Sequence, residues 1–174
     1  DGFGSDDVTI ENCEISDNTA GDDGGGILVD DVSVTIRNTT VDGNEAFDGG
    51  GLFGDDAEVT LIDSTVSGNR AFDGGGIYGW EVKLTLRGST VSGNLAENDG
   101  GGLYLTAHHA EDTMIVNSTI SSNTAGSDGG GIYVDEGKLF LVNSTVTGNT
   151  AREGGGMYID TGYDTVIYNS IVAG

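Results

Sequence analysis

The sequence predicts an all-β fold, a parallel β-helix of about seven coils with three short strands in each, and three observations predict it. The first is a recurring phrase: DGGGIL from Asp23, DGGGLF from Asp48, DGGGIY from Asp73, DGGGLY from Asp99, DGGGIY from Asp128 and EGGGMY from Glu153. The leading glycines, Gly24, Gly49, Gly74, Gly100, Gly129 and Gly154, are separated by steps of 25, 25, 26, 29 and 25 residues, a period that marks a solenoid or an array. The second is that each unit holds short runs with period-two alternation and no amphipathic segment of helical length. The third is punctuation. With 32 glycines and no proline in 174 residues, the turns rest on Gly, Asn and Asp, which tolerate left-handed backbone angles.

The unit that opens at Gly24 gives the elements in order. Residues 24–29 (GGGILV) form a first strand, 33–37 (SVTIR) a second and 40–42 (TVD) a short third, after which Gly43-Asn44 turns the chain toward the next triplet. Alternation then points Ile27, Val29, Val34, Ile36 and Val41 inward. Later units keep the rule with Leu52, Val59, Leu61 and Val66, with Ile77, Leu84, Leu86 and Val91, and with Ile132, Val134, Leu139, Leu141 and Val146. One coil buries little alone, but stacked coils make a continuous aliphatic column. At the third turn Asn18, Asn44, Asn69, Asn94, Asn123 and Asn149 recur, and stacked amides form a hydrogen-bonded ladder.

Other readings of the glycines fail. A phosphate-cradling loop is used once per domain and leads into a helix with Lys and Ser or Thr; no Lys follows any triplet directly. The spacing of a leucine-rich repeat does not fit either. Cys13 is the only cysteine, so no internal disulfide forms, and no run of 18 or more apolar residues occurs. The opening DGFGSDD has no charged-then-apolar signal pattern. No amphipathic capping helix is read at either end, so the expectation is a piece of a longer chain or ends that stack on neighbours. Twenty-nine acids against six bases give a net charge of −23, which repels nucleic acid and anionic membranes and makes cations the natural small partners; a high-salt habitat explains such a surface equally well.

Several columns on the outside are candidate sites. Asp23, Asp48, Asp73, Asp99, Asp128 and Glu153 stand one per coil before the triplets. At roughly 5 Å spacing, neighbouring carboxylates repel by about 3 kcal/mol at an effective dielectric near 20. Either a bridging Ca²⁺ or a hydrogen bond to each residue's own turn amides offsets that. A second acidic set follows the first strand (Asp30, Asp31, Asp55, Asp56, Glu81, Asp135, Glu136, Asp160) and reads as solvated surface. Phe53, Tyr78, Tyr104, Tyr133 and Tyr158 form an outward aromatic column, a sheet-stabilising stack or a platform for a glycan or another protein. The outward positions of the second strand change from Thr9 and Glu11, Thr35 and Arg37, Thr60 and Ile62, Thr85 and Arg87 to Met114 and Val116, Phe140 and Val142, Val166 and Tyr168. That last apolar stretch predicts packing against another subunit or segment.

Three further features complete the reading. Outward Thr65 and Ser67, Thr90 and Ser92, Thr119 and Ser121, and Thr145 and Thr147 make a hydroxyl array of the kind that matches ice, interrupted by Asp42. Asn38, Asn117 and Asn143 head glycosylation sequons at one equivalent position. The 29-residue coil carries LTAHHAEDT, where His108, His109, Glu111 and Asp112 suggest a transition-metal ligand set or an exposed loop.

The pairing of GGG-[IL] with V-x-G-N or I-x-x-N, as in GGGIYGW followed by TVSGN, resembles the GGA-[ILV] and F-x-x-N repeats of the polymorphic outer-membrane proteins and related secreted right-handed β-helix proteins. The likeness covers nearly the whole chain, with Gly for the family's Ala at Gly26 and Gly76 and Val or Ile for its Phe at Val66 and Ile120. It implies a right-handed helix and a surface adhesin, while cousins of the same fold cleave polysaccharides. A lyase needs a basic residue beside Ca²⁺, and a hydrolase needs converging carboxylates. Here Arg37, Arg70, Arg87 and Arg152 are scattered and the carboxylates are periodic. The expectation is therefore a non-enzymatic, extracellular or cell-surface module that adheres or builds filaments, with Ca²⁺ as its ion and neighbouring subunits or a glycan or surface receptor as partners. A calcium-dependent polysaccharide lyase or hydrolase is the first alternative, and an ice-binding protein the second.

Overall fold

The computed structural model describes residues 7–107, 112–160 and 164–173, and every regular element among them is a short strand. First strands pair into a six-stranded sheet running from Ile27–Asp30 to Met157–Ile159. Second strands make a seven-stranded sheet from Asp7–Glu11 to Thr165–Tyr168, and third strands another from Glu14–Ser16 to Ile171–Ala173. All pairings are parallel and join each coil to the next: Leu86, for instance, sits between Leu61 and Ile115. Six turns are complete in all three sheets, and a seventh contributes to two of them.

The expected three strands per coil understate the middle of the molecule. A fourth sheet joins Arg70–Ala71, Leu95–Ala96 and Thr124–Ala125 at the third corner. Two residues are too few to show an alternation in sequence.

Nearly all the side chains expected to point inward do so, and most are sealed. Leu84, Leu86, Ile115, Ile132, Leu139 and Leu141 have no measurable exposure, and burying each contributes about 2 kcal/mol of hydrophobic stabilisation. Ile27 is only partly buried because its strand lies at the edge of its sheet. In the last coil the inward Ile167 and Val172 are 50% and 44% exposed.

The glycine triplet is needed for two different reasons. Gly74 has a φ of +61°, so the first position must turn left-handed. Gly76 lies in ordinary backbone space, but a Cβ there would stand 2.6 Å from the Gly102 carbonyl oxygen and 2.9 Å from the Asn94 amide. Adjacent coils approach so closely that the third position admits no methyl group.

Two polar ladders run through the interior. Asn94 Oδ1 accepts from both the backbone and the side-chain nitrogen of Asn69, at 3.0 Å each, and Asn94 Nδ2 donates to Asn123 Oδ1 and to the Val66 carbonyl. The pattern repeats from Asn18 to Asn149, as the recurring asparagines predict. The second ladder follows the second strand: the amide of each of Thr39, Ser64, Ser89, Ser118 and Ser144 donates to the hydroxyl of the next coil, ending at Ser170. Cys13 takes the same place in the first coil and donates its amide to Thr39 Oγ1. Both ladders satisfy turn amides that the sheets cannot reach.

Candidate binding faces

The acidic column stands where expected, at the corner before each triplet, but the amides it binds are not those of each residue's own turn. Asp73 Oδ1 accepts the backbone amide of Asp99 at 2.8 Å, and Asp99 Oδ1 accepts that of Asp128 at 2.8 Å. The partner is thus the equivalent residue of the next coil, not the residue's own turn. Asn98 adds a side-chain donor to Asp73 at 3.0 Å. One oxygen each of Asp48 and Asp128 is enclosed without a hydrogen-bond partner among the described residues.

These bonds do not fully offset desolvation and repulsion. Burial, then the charges of Asp73 and Asp23, push the Asp48 carboxyl up to about 6, against which the Asp73 amide acts only in part. Burial also raises Asp23, Asp73 and Asp99 above the ordinary carboxylate range. Among the described residues no group of three or more His, Cys, Asp or Glu side chains converges to hold a metal.

The aromatic column is one unbroken stack. Phe53, Tyr78, Tyr104, Tyr133 and Tyr158 follow each other with ring centroids 5.1, 4.7, 4.8 and 5.3 Å apart and planes within 16°. Tyr78, although it projects outward from its sheet, is only 8% exposed. The three interior rings therefore have an aromatic neighbour on both faces, and only Phe53 and Tyr158 keep a face without one. Burial and the nearby Asp135 and Asp99 charges push the Tyr133 phenol up to about 12.

On the second sheet, Met114, Phe140 and Val166 share one register column and Val116, Val142 and Tyr168 the next. Val166 is 42% and Tyr168 67% exposed, and at the start of the two preceding strands Lys138 and Asp112 pair at 3.7 Å. Earlier coils place Thr35, Thr60 and Thr85 in the first of these columns and Arg37, Ile62 and Arg87 in the second. On the third sheet, Thr65, Thr90, Thr119 and Thr145 align, beside Ser67, Ser92, Ser121 and Thr147. Asp42 interrupts the second of these columns between Ser16 and Ser67, accepting from Ser67 Oγ at 2.6 Å.

Asn38, Asn117 and Asn143 occupy the left-handed corner after the second strand, with φ of 46°, 51° and 50°, and all three are exposed. The sequon's middle residue, Thr39, Ser118 or Ser144, points inward as a rung of the hydroxyl ladder. His108, His109 and Glu111 lie outside the described residues. Arg37 and Arg87 stay in one column with Ile62 between them, and Arg70 pairs with Glu97.

Sequence reasoning missed one exposed feature. Phe47 and Phe72 stack at 5.3 Å beside the fourth sheet and are 56% and 42% exposed. They occur in two coils only, so no periodic signal marked them. No helix among the described residues is long and apolar enough to cross a membrane.

Comparisons with curated proteins and with solved structures find no match. A family model described as a right handed beta helix region matches residues 2–172, and the stacked parallel strands above are the fold it describes. On nearly its whole length, the chain belongs to the right-handed beta-helix family.

Proposed function

We propose that the chain is a non-enzymatic module of the cell exterior, structural and adhesive in role, that meets a second copy of itself through the apolar end of its second sheet. One observation carries the reading: Met114, Val116, Phe140, Val142, Val166 and Tyr168 form an uncharged face on a chain with a net charge of −23. Like-charged copies repel over most of their surface, so they approach at least cost through an apolar face whose bordering Asp112 is paired with Lys138. The three rungs lie within roughly 10 Å of one another, close enough to act as one apolar centre for which the flanking residues form a rim.

The likeness of the repeats to polymorphic outer-membrane proteins supports the surface location and the adhesive role. The exposed sequons at Asn38, Asn117 and Asn143 suit an exported chain. End-to-end stacking of coils into filaments belongs to the same proposal. So does calcium along the Asp23–Glu153 corner, supported by the raised titration of Asp48, Asp73 and Asp99.

Sedimentation velocity tests the central part. The wild type is expected to self-associate as concentration rises, and Phe140→Lys with Val166→Lys to sediment as a monomer. Electron microscopy separates lateral from end-to-end contact. Release of reducing ends from polysaccharide would overturn the non-enzymatic reading, and an unfolding midpoint that ignores both Ca²⁺ and chelator would remove calcium from it.

A further inference from the structure

The groove beside Phe47 and Phe72 breaks the repeat. Its floor is Ala46 and Ala71, its walls are the two phenylalanines on one side and Glu45 and Arg70 on the other, and Glu97 closes it. The backbone stacks Phe72 onto Phe47 and Asn98 onto Phe72, so aromatic residues fill this corner position in two coils and polar ones follow. A two-ring stack leaves one face of each ring without an aromatic neighbour, unlike the interior of the tyrosine column. Phe47 is 56% and Phe72 42% exposed, against 8% for Tyr78.

We infer that this groove binds a single sugar ring of a neutral glycan. The inference rests on the adhesive reading above and gives it a ligand class. An apolar wall facing a small set of fixed polar groups is the arrangement that recognises an amphipathic ring: C–H surface packs on phenyl, and hydroxyls meet donors and acceptors opposite. The Arg70 guanidinium, oriented by its ion pair with Glu97, supplies donors, and Glu45 and Glu97 supply acceptors. The groove encloses about 210 Å³, below the range of full ligand pockets, so it holds one ring of a chain rather than an oligosaccharide. Charge sets the class. With Glu45 and Glu97 in the groove and −23 on the chain, a uronic or sulfated sugar is repelled, and a neutral one is not.

Affinity electrophoresis in gels of a neutral glucan, a neutral galactan and a polygalacturonate tests it, on the wild type, Phe47→Ala with Phe72→Ala, and Arg70→Met. The expected result is retardation of the wild type in at least one neutral gel, weakened roughly tenfold in both variants with thermal midpoints unchanged, and none in polygalacturonate. Migration unaltered in both neutral gels, equal retardation of the variants, or preference for the polyanion would overturn the inference. Failure of the adhesive reading looks different: the gel polymer is cut, or the wild type stays monomeric in sedimentation.

Discussion

The columns inside the coil and those outside it share one backbone and one rung spacing, yet they behave in opposite ways. The asparagine ladder runs from Asn18 to Asn149 with an amide at every rung, and its members from Asn44 onward are at most 7% exposed. The acidic column keeps the same register at the corner before the triplets, and burial holds the carboxyls of Asp48, Asp73 and Asp99 above their ordinary range, with neighbouring Asp charges adding to it at Asp48 and Asp99. The difference is chemical. An amide carries donor and acceptor together, so identical neighbours complete one another, whereas a carboxylate only accepts and repels its copy. The acidic column persists because the backbone amide of the next Asp serves as donor. Inward columns are uniform along the chain, whereas the outward columns of the second sheet and the Phe47–Phe72 corner change character, and the proposed contacts lie at those departures.

Substitutions break or sharpen this contrast, and the largest effect is expected inside. Asn94→Asp removes the donors to Val66 and Asn123 and puts a carboxylate at a site 1% exposed. It should destabilise by about 4 kcal/mol at pH 7 in thermal or urea unfolding, partly recovered in acid as the group protonates. Gly76→Ala comes next. Its Cβ meets the Gly102 carbonyl at 2.6 Å, and prying coils apart should cost about 3 kcal/mol.

The outer column should respond with the opposite sign. Asp48→Asn keeps an acceptor for the next coil and deletes a charge. Because the folded carboxyl titrates at about 6, above its unfolded value, the native state holds the extra proton between the two, and stability falls as pH rises through that window. The penalty is complete above about 6 and absent below about 4, so Asp48→Asn should stabilise by about 1 kcal/mol at pH 7, discounted for partial exposure, and by nothing at pH 3.5. Added salt should raise the wild-type midpoint more than the variant's.

Much of this was legible in the sequence wherever chemistry repeated. The aliphatic positions and the asparagine ladder announce themselves every 25 to 29 residues. The hydroxyl ladder did not, because Thr39 and Ser64 read as ordinary turn residues until the coil folds them inward. The acidic column was legible as a column, but its donor was not: a hydrogen bond across 26 or 29 residues depends on register, which composition does not contain. Phe47 and Phe72 were invisible to a periodic reading because they interrupt the period.

The smallest stability effect, and the direct test, belongs to the apolar face. Phe140→Lys with Val166→Lys lies outside the core, on two strands that keep their inward Leu139 and Leu141 and their inward Thr165 and Ile167, so stability should change by no more than in typical surface substitutions, about 0.5 kcal/mol. Sedimentation velocity of wild type and double variant over a wide range of concentration then decides the central claim, that inward columns make the fold and outward departures make the contacts. The account predicts an associating wild type and a monomeric variant of equal stability. A wild type that stays monomeric throughout, or a variant that associates just as well, would contradict it.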